Sequence, residues 1–330
     1  MNKLEMSVEG WTGRQRLRRK VQGIAAALLP FESDGKIAVH AFQQHLWATH
    51  RAGLMNAVNM DTGYVNYLSD AEKQDVLRWT REALGEGVPF VAGAYIEGLE
   101  GDVVNLYRRQ IDSIAAFGGT SILFQTARLR AKPGKEIAAI YQSVCRGYPQ
   151  VLAFELGSMF APNGEIYDQD TFVRLMEIPE IVGLKHSSLD RRIELQRLAL
   201  RDERRPDFRI YTGNDLGINM IEYGSDYLLG LATLTPEKFA ERDRLWQSGD
   251  PEYYALSDAL QYLGSVAFRD PVPAYKHSAA VFLYLVGRIP SDRTHPTSPK
   301  RPSWEPEILR DCARRLSYPV LGAHPLSAGG

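Results

Sequence analysis

Cysteine is scarce in this chain. Two occur among 330 residues, Cys145 and Cys312, with no CxxC spacing, so neither a disulfide framework nor a thiolate metal site is expected. No run of about 18 apolar residues appears anywhere, and the opening MNKLEMSVEGWTGRQRLRRKVQG has no apolar stretch of the kind a secretory leader carries. A reducing, cytoplasmic setting with no membrane partner is the expectation. An excess of one charge is missing too: 39 Lys and Arg against 40 Asp and Glu leave a net charge of −1, which argues against nucleic acid as a partner. Gly93, Gly98 and Gly101 do not form GxGxxG, so no dinucleotide or other cofactor is expected. What remains is a small-molecule partner.

What the chain does have is 44% hydrophobic and 24% charged residues, enough for a large core without structural metal. Short runs rich in Val, Ile, Leu and Ala keep returning, at 23–29, 54–60, 89–94, 121–125, 151–155, 181–185, 208–212 and 227–231. Between them lie stretches with apolar residues three and four apart, such as 69–84, where Ser69 and Glu72 have capping-box spacing. Eight strand–helix units predict an α/β chain folded as a parallel (β/α)8 TIM barrel, with a doubly wound open sheet as the competitor. The expected division is an N-terminal arm over 1–20, the barrel over 21–234 and a helical C-terminal extension over 235–330. Within the extension, 289–306 carries five prolines and is expected to be a surface excursion before a last helix over 307–316. His40, His45 and His50, five apart, read as ordinary helix surface.

A barrel of this kind does its chemistry at the C-terminal ends of its strands. Those ends offer Asp61, Thr62 and Gly63; Tyr95 and Glu97; Gln125 and Thr126; Phe154 and Glu155; Lys185 and His186; Gly213, Asn214 and Asp215; and Gly230 with Thr233. Lys185 stands apart, one of only ten lysines, closing the apolar run Ile181-Val182-Gly183-Leu184. An ammonium held in a barrel mouth loses solvation, which lowers its pKa and frees the amine to attack a carbonyl. The plainer alternative is a structural lysine paired with Asp61, Glu155 or Asp215. Strand alternation points His186 away from the axis, and a one-residue shift exchanges Glu155 with Phe154.

IVGLKHSSLD around Lys185 resembles the Schiff-base strand of the dihydrodipicolinate synthase and N-acetylneuraminate lyase family, the pyruvate-type class I aldolases. GIAAALLPFESDGKI, NMDTGYVNYLSDAEK, FVAGAY, IYTGNDLGINMIEYGSDYLLGLATLTP and DPVPAYKHSAAVF follow the family's pattern in order, over about residues 21–290. The resemblance implies the (β/α)8 barrel with a helical extension, a homo-oligomer (dimer or tetramer) and a Schiff base on Lys185. It implies no metal.

Several accessory positions depart from the family. Asp61 and Thr62 stand where members carry two consecutive hydroxyl residues, and Tyr64 replaces a glutamate. Phe154 or Ala153 falls where the fifth-strand tyrosine acts as general acid/base, and Thr126 or Ala127 where the fourth strand carries the relay tyrosine. No arginine follows in the fifth-strand loop. Phenylalanine cannot move a proton, so Asp61, Tyr64, Tyr95, Glu155 and His186 are the candidates to replace it. Asp61 either serves as base or marks a substrate without a carboxylate at that point.

The expectation is therefore a class I lyase, aldolase or dehydratase using Lys185 on a 2-oxo acid or keto-deoxy sugar acid. Asp61 and the Phe154 position are the other catalytic candidates; Thr62, Gly63, Tyr64, Tyr95, Gln125, Glu155, Asn214 and Gly230 are the expected substrate-binding set. Two alternatives stand beside it: a metal-dependent aldolase using Asp61, Glu97, Glu155 and His186, and a non-catalytic metabolite-binding relative.

Overall fold

The computed structural model describes residues 8–321. Eight parallel strands close in chain order: β1 (Gly23–Ala26), β2 (Met55–Val58), β3 (Phe90–Ala94), β4 (Thr120–Leu123), β5 (Val151–Leu156), β6 (Ile181–Ser187), β7 (Arg209–Thr212) and β8 (Asp226–Leu229). Pairing of β8 back onto β1 excludes the open sheet. The short α1 (Val8–Thr12) precedes the barrel. Helices α2 (Val39–Ala52), α3 (Asp70–Leu84), α4 (Val103–Ala116), α5 (Gly134–Cys145), α6 (Gln169–Met176) and α7 (Arg191–Arg204) return the chain between successive strands. A 3-10 turn, Ile218–Tyr223, replaces the helix after β7, and α8 (Pro236–Ser248) follows β8. The extension supplies α9 (Glu252–Ala267), α10 (Tyr275–Leu285) and α11 (Glu305–Arg315).

Local chemistry sets these elements. The Ser69 hydroxyl accepts from the Glu72 amide while the Glu72 carboxylate accepts from the Ser69 amide, which satisfies two helix-start donors at once. Along the strands, alternate residues divide into two apolar cores. Ile24, Ala26, Val91, Ile122, Leu152, Phe154, Tyr211 and Leu228 fill the barrel interior. Leu184, Ile210, Leu229 and their neighbours face the helices.

Some boundaries differ from the expected ones. The first strand stops at Ala26 although 27–29 stay buried, and β6 runs two residues past Lys185. Up to Trp304 the proline-rich stretch has no helix or strand, and it docks on the body through separated side chains. Ile289, Ser291, Thr294, Ser298 and Arg301 are buried, and the Arg301 guanidinium donates to the carbonyls of Ala267, Arg269 and Asp270. Proline forbids helix there but leaves side chains free to dock on carbonyls at the end of α9. The last helix begins at Glu305, two residues early, because Pro306 in a first turn forfeits only an amide that has no partner anyway. His45 is also buried, not on the surface: its Nε2 lies 2.7 Å from Thr233 Oγ1, and burial lowers its pKa to about 4. Residues 1–7 of the expected arm, and the tail from 322, lie outside the described residues. Among the described residues no helix is long and apolar enough to cross a membrane.

Candidate active site

Strand register builds the floor of the site. Phe154 of β5 pairs with Lys185 of β6, which pairs with Tyr211 of β7. Partners across a parallel ladder share a face, so the three form one row directed into the barrel. Lys185 Nζ sits 4.5 Å from the Phe154 ring centroid. One step back, a Cβ on Gly183 would meet the Tyr211 ring at 3.0 Å, so the space beside the lysine stem is filled by that ring. On the other side, a Cβ on Gly213 would come within 2.7 Å of Lys185 Cε. Glycine at both positions is what lets the stem extend.

Lys185 is 9% exposed and makes no hydrogen bond or ion pair among the described residues, so the structural-lysine alternative does not hold. Burial lowers its pKa to about 8, against the opposing pull of Asp215 and Asp61. Asp215, in the loop after β7, is the counterpart. Burial raises its carboxyl to about 7, although its oxygen accepts from the Leu231 amide at 2.8 Å. The two groups influence each other through charge without an ion pair between them, so their titrations are linked.

Asp61 follows β2 in a 3-10 turn, Asp61–Gly63. Lys276 Nζ of α10 donates to its two oxygens at 3.0 and 2.9 Å, and the Tyr275 hydroxyl donates to Oδ2 at 2.8 Å. Thr62 Oγ1 lies 2.9 Å from the same tyrosine oxygen. Gly230 makes room for this contact, since a Cβ there would press on Phe268, Tyr275 and Thr62 at 3.1 to 3.3 Å. The C-terminal extension thus completes the mouth of the barrel.

Of the expected substrate-binding residues, Glu155 and Tyr64 point elsewhere, and Gln125 and Asn214 are engaged by backbone. Glu155 points to the helix layer, fully buried, where Arg197 Nε donates at 3.0 Å and His186 Nδ1 lies 2.5 Å away. Burial alone would raise its pKa, but the charges of His186 and Arg197 hold it at about 2. Phe154, one position earlier, took the inward place. Tyr64 is buried in the outer core against Phe31 and His295, because its left-handed backbone (φ 61°) turns it out of the mouth. The Gln125 amide is spent on backbone, accepting from Leu156 and Glu165 amides and donating to the Glu165 carbonyl at 2.7 Å. Asn214 Oδ1 accepts from the Leu216 amide and holds its own loop. Asp61, Thr62 and Gly230 cluster with α10, and Gly63 ends the same 3-10 turn, where a Cβ would meet the Ala27 carbonyl at 3.3 Å. Tyr95 stays at the inner wall, its ring 5.5 Å from Phe124; burial, ahead of Glu97 and Asp61, raises its pKa to about 12.

The metal alternative fails on the same geometry. Asp61 is held by Lys276, Glu97 accepts from the Ala127 amide, and Glu155 and His186 face outward. Among the described residues no three His, Cys, Asp or Glu side chains gather to hold an ion. Sequence reasoning missed Tyr275 and Lys276, although both lie in DPVPAYKHSAAVF; it named Asp215 among the strand-end residues and as a partner for Lys185 but gave it no catalytic or binding role.

Comparison with known proteins agrees with this architecture. The family described as "Protein of unknown function (DUF993)" matches residues 32–293. A 4-hydroxy-tetrahydrodipicolinate synthase from Stenotrophomonas maltophilia is 28% identical over 214 residues, 64% of this chain and 68% of the relative. Dihydrodipicolinate synthase from Thermotoga maritima superposes with a TM-score of 0.77 at 16% identity, over 91% of this chain and 99% of that one. A prophage protein of the dihydrodipicolinic acid synthase family from E. coli K12, solved in complex with pyruvate, gives 0.77 at 14% identity over the same shares.

Proposed function

This chain belongs to the family described as "Protein of unknown function (DUF993)", a divergent member of the dihydrodipicolinate synthase family of pyruvate-using class I aldolases, and we propose on that basis that it is a carbon–carbon or carbon–oxygen lyase acting through an imine on Lys185. The observation that carries this reading is the lysine itself: buried, without an ion pair among the described residues, its pKa lowered to about 8 by burial.

The Nζ lone pair attacks the carbonyl carbon of the substrate and forms a C–N bond. The former carbonyl oxygen takes one proton from Nζ and a second from the Asp215 carboxyl, then leaves as water. What remains is a protonated imine and an Asp215 carboxylate. The imine draws the electrons of a neighbouring C–C or C–H bond as that bond breaks. Phe154 relays no proton, but its π-face beneath Nζ stabilises the cation, an interaction worth about 0.5–2 kcal/mol. The Asp215 carboxylate then takes up a proton released by the substrate and returns it to the carbon left behind, and water adds to the imine carbon, breaks the C–N bond and frees Lys185 with the product. This chemistry serves a 2-oxo acid and a hydroxy ketone alike.

Sodium borohydride added to the protein with a panel of small carbonyl compounds reduces the imine to a stable secondary amine. Peptide mass spectrometry is expected to find the adduct on Lys185, and none in Lys185→Met. Absence of any adduct across the panel overturns the proposal.

A further inference from the structure

The opposite end of the barrel carries a cavity that the imine chemistry does not use. It opens where β1, β2 and β7 begin and has a volume of about 580 Å³. Lys20, Gln22, His50 and Arg209 line it, and among the described residues no acidic side chain does. One carboxylate stands behind this rim, that of Asp226 at the start of β8, and it is already shared. Arg19 donates to its Oδ1 at 2.6 Å, the Gln22 backbone N–H to the same oxygen at 2.9 Å, and Arg209 to Oδ2 at 2.6 Å. Two guanidiniums on one carboxylate leave a positive charge uncancelled. Lys20 adds a second, because it makes no ion pair among the described residues. The acid of the adjoining cavity, Asp207, is spent on Arg205 at 3.7 Å.

Hydrogen-bond accounting leads the same way. Arg209 gives one of its five N–H groups to Asp226 and keeps the rest. Gln22 Oε1 accepts from the Tyr211 hydroxyl at 3.0 Å, so what the Gln22 amide has left to offer the cavity is its N–H pair. The Asp226 contact also holds the Arg209 guanidinium in place before any ligand arrives, which lowers the ordering cost of binding. Facing these donors, Val21, Leu54, Met55 and Pro89 form an apolar wall. Donors, uncancelled positive charge and an apolar wall in one cavity suit a small anion that carries a hydrocarbon body.

We infer that the N-terminal end of the barrel binds a small organic oxyanion, a phosphate monoester or a carboxylate, with its charged head on Lys20, Gln22 and Arg209 and its apolar body against Leu54, Met55 and Pro89. The site is separate from the mouth that holds Lys185 and stands independently of the imine reading.

Calorimetric titration of the full chain with phenyl phosphate and with benzoate tests this, with benzyl alcohol as the uncharged probe. At least one of the two anions is expected to bind saturably, more weakly as salt is added, and the tighter of the two identifies the head group; benzyl alcohol is expected not to bind. Lys20 is exposed, so Lys20→Glu is expected to keep the fold and to weaken the anion at least tenfold. Lys185→Met, at the other end of the barrel, is expected to bind it as the wild type does. Wild-type affinity in Lys20→Glu, or benzyl alcohol bound as tightly as the anion, overturns the inference. So does loss of binding in Lys185→Met, which would place the anion in the mouth, and so does the absence of saturable binding by either anion.

Discussion

Asp61 and Lys276 stand 215 positions apart, yet the lysine ammonium reaches both oxygens of the carboxylate at 3.0 and 2.9 Å. The contact joins the mouth of the barrel to the C-terminal extension. Removing only the cation leaves a half-covered carboxylate without its partner. Lys276→Met is expected to destabilise the protein by about 1–3 kcal/mol, below the range for fully buried pairs because the Asp61 side chain is 23% exposed. The double variant Asp61→Asn/Lys276→Met is expected to regain at least half of that loss. Urea unfolding of the four proteins in the cycle measures it; a loss in the double variant equal to the sum of the two single losses would show that the pair is not coupled.

Gly213 is the narrowest point beside the reactive stem. Adding one methyl group there collides with Lys185 Cε at 2.7 Å and with the Ser187 hydroxyl. Gly213→Ala is expected to keep the fold, seen as an unchanged far-ultraviolet circular dichroism spectrum, while imine formation falls at least a hundredfold. Trapping at the wild-type rate would mean that the stem does not run where the structure places it.

Imine formation needs Lys185 without its proton and Asp215 with one. With the amine near pH 8 and the carboxyl near pH 7, the rate of adduct formation at low substrate is expected to be bell-shaped, highest between about pH 7 and 8. The two limbs belong to the pair and not to either residue alone. Stability carries the same signature. Asp215 binds its proton more tightly folded than unfolded, so stability falls as pH rises from 3.8 to about 7; the lowered Lys185 makes stability rise from about 8 toward 10.5. Asp215→Asn is expected to be the more stable protein at pH 8 and to lose the alkaline limb of the bell. An unchanged profile in that variant would remove Asp215 from the mechanism.

Behind the barrel wall, Glu155, His186 and Arg197 form a buried network that does not face the reactive lysine. Arg197→Met leaves a buried carboxylate beside His186 with one cation fewer, at an expected cost of about 3–5 kcal/mol. The folded fraction is nonetheless expected to trap carbonyls on Lys185 within threefold of the wild-type rate. A hundredfold loss in fully folded protein would place this network in the chemistry after all.

Periodicity carried the barrel: each apolar run became a strand because β-rich runs separated by helical spacing have few other ways to bury both faces. Lys185 was legible for a related reason, since a charged residue ending an apolar strand must be solvated, paired or used. Glu155 and Phe154 were not separable, because one residue of register reverses inside and outside, and only the pairing of Phe154 with Lys185 fixes it. Tyr64 was misplaced by a left-handed turn that its sequence does not announce. Lys276 was hidden for a different reason: its partner is a tertiary neighbour across most of the chain, and nothing in the spacing of either segment encodes that contact.

The central claim is that the amine of Lys185 condenses with a carbonyl ligand inside the barrel mouth. A crystal structure of the protein soaked with dihydroxyacetone tests it most directly. The account predicts continuous density from Lys185 Nζ to the ligand carbon, with an Asp215 oxygen within hydrogen-bond reach of the new bond. Ligand held in the mouth with Nζ unmodified and Asp215 turned away would contradict it.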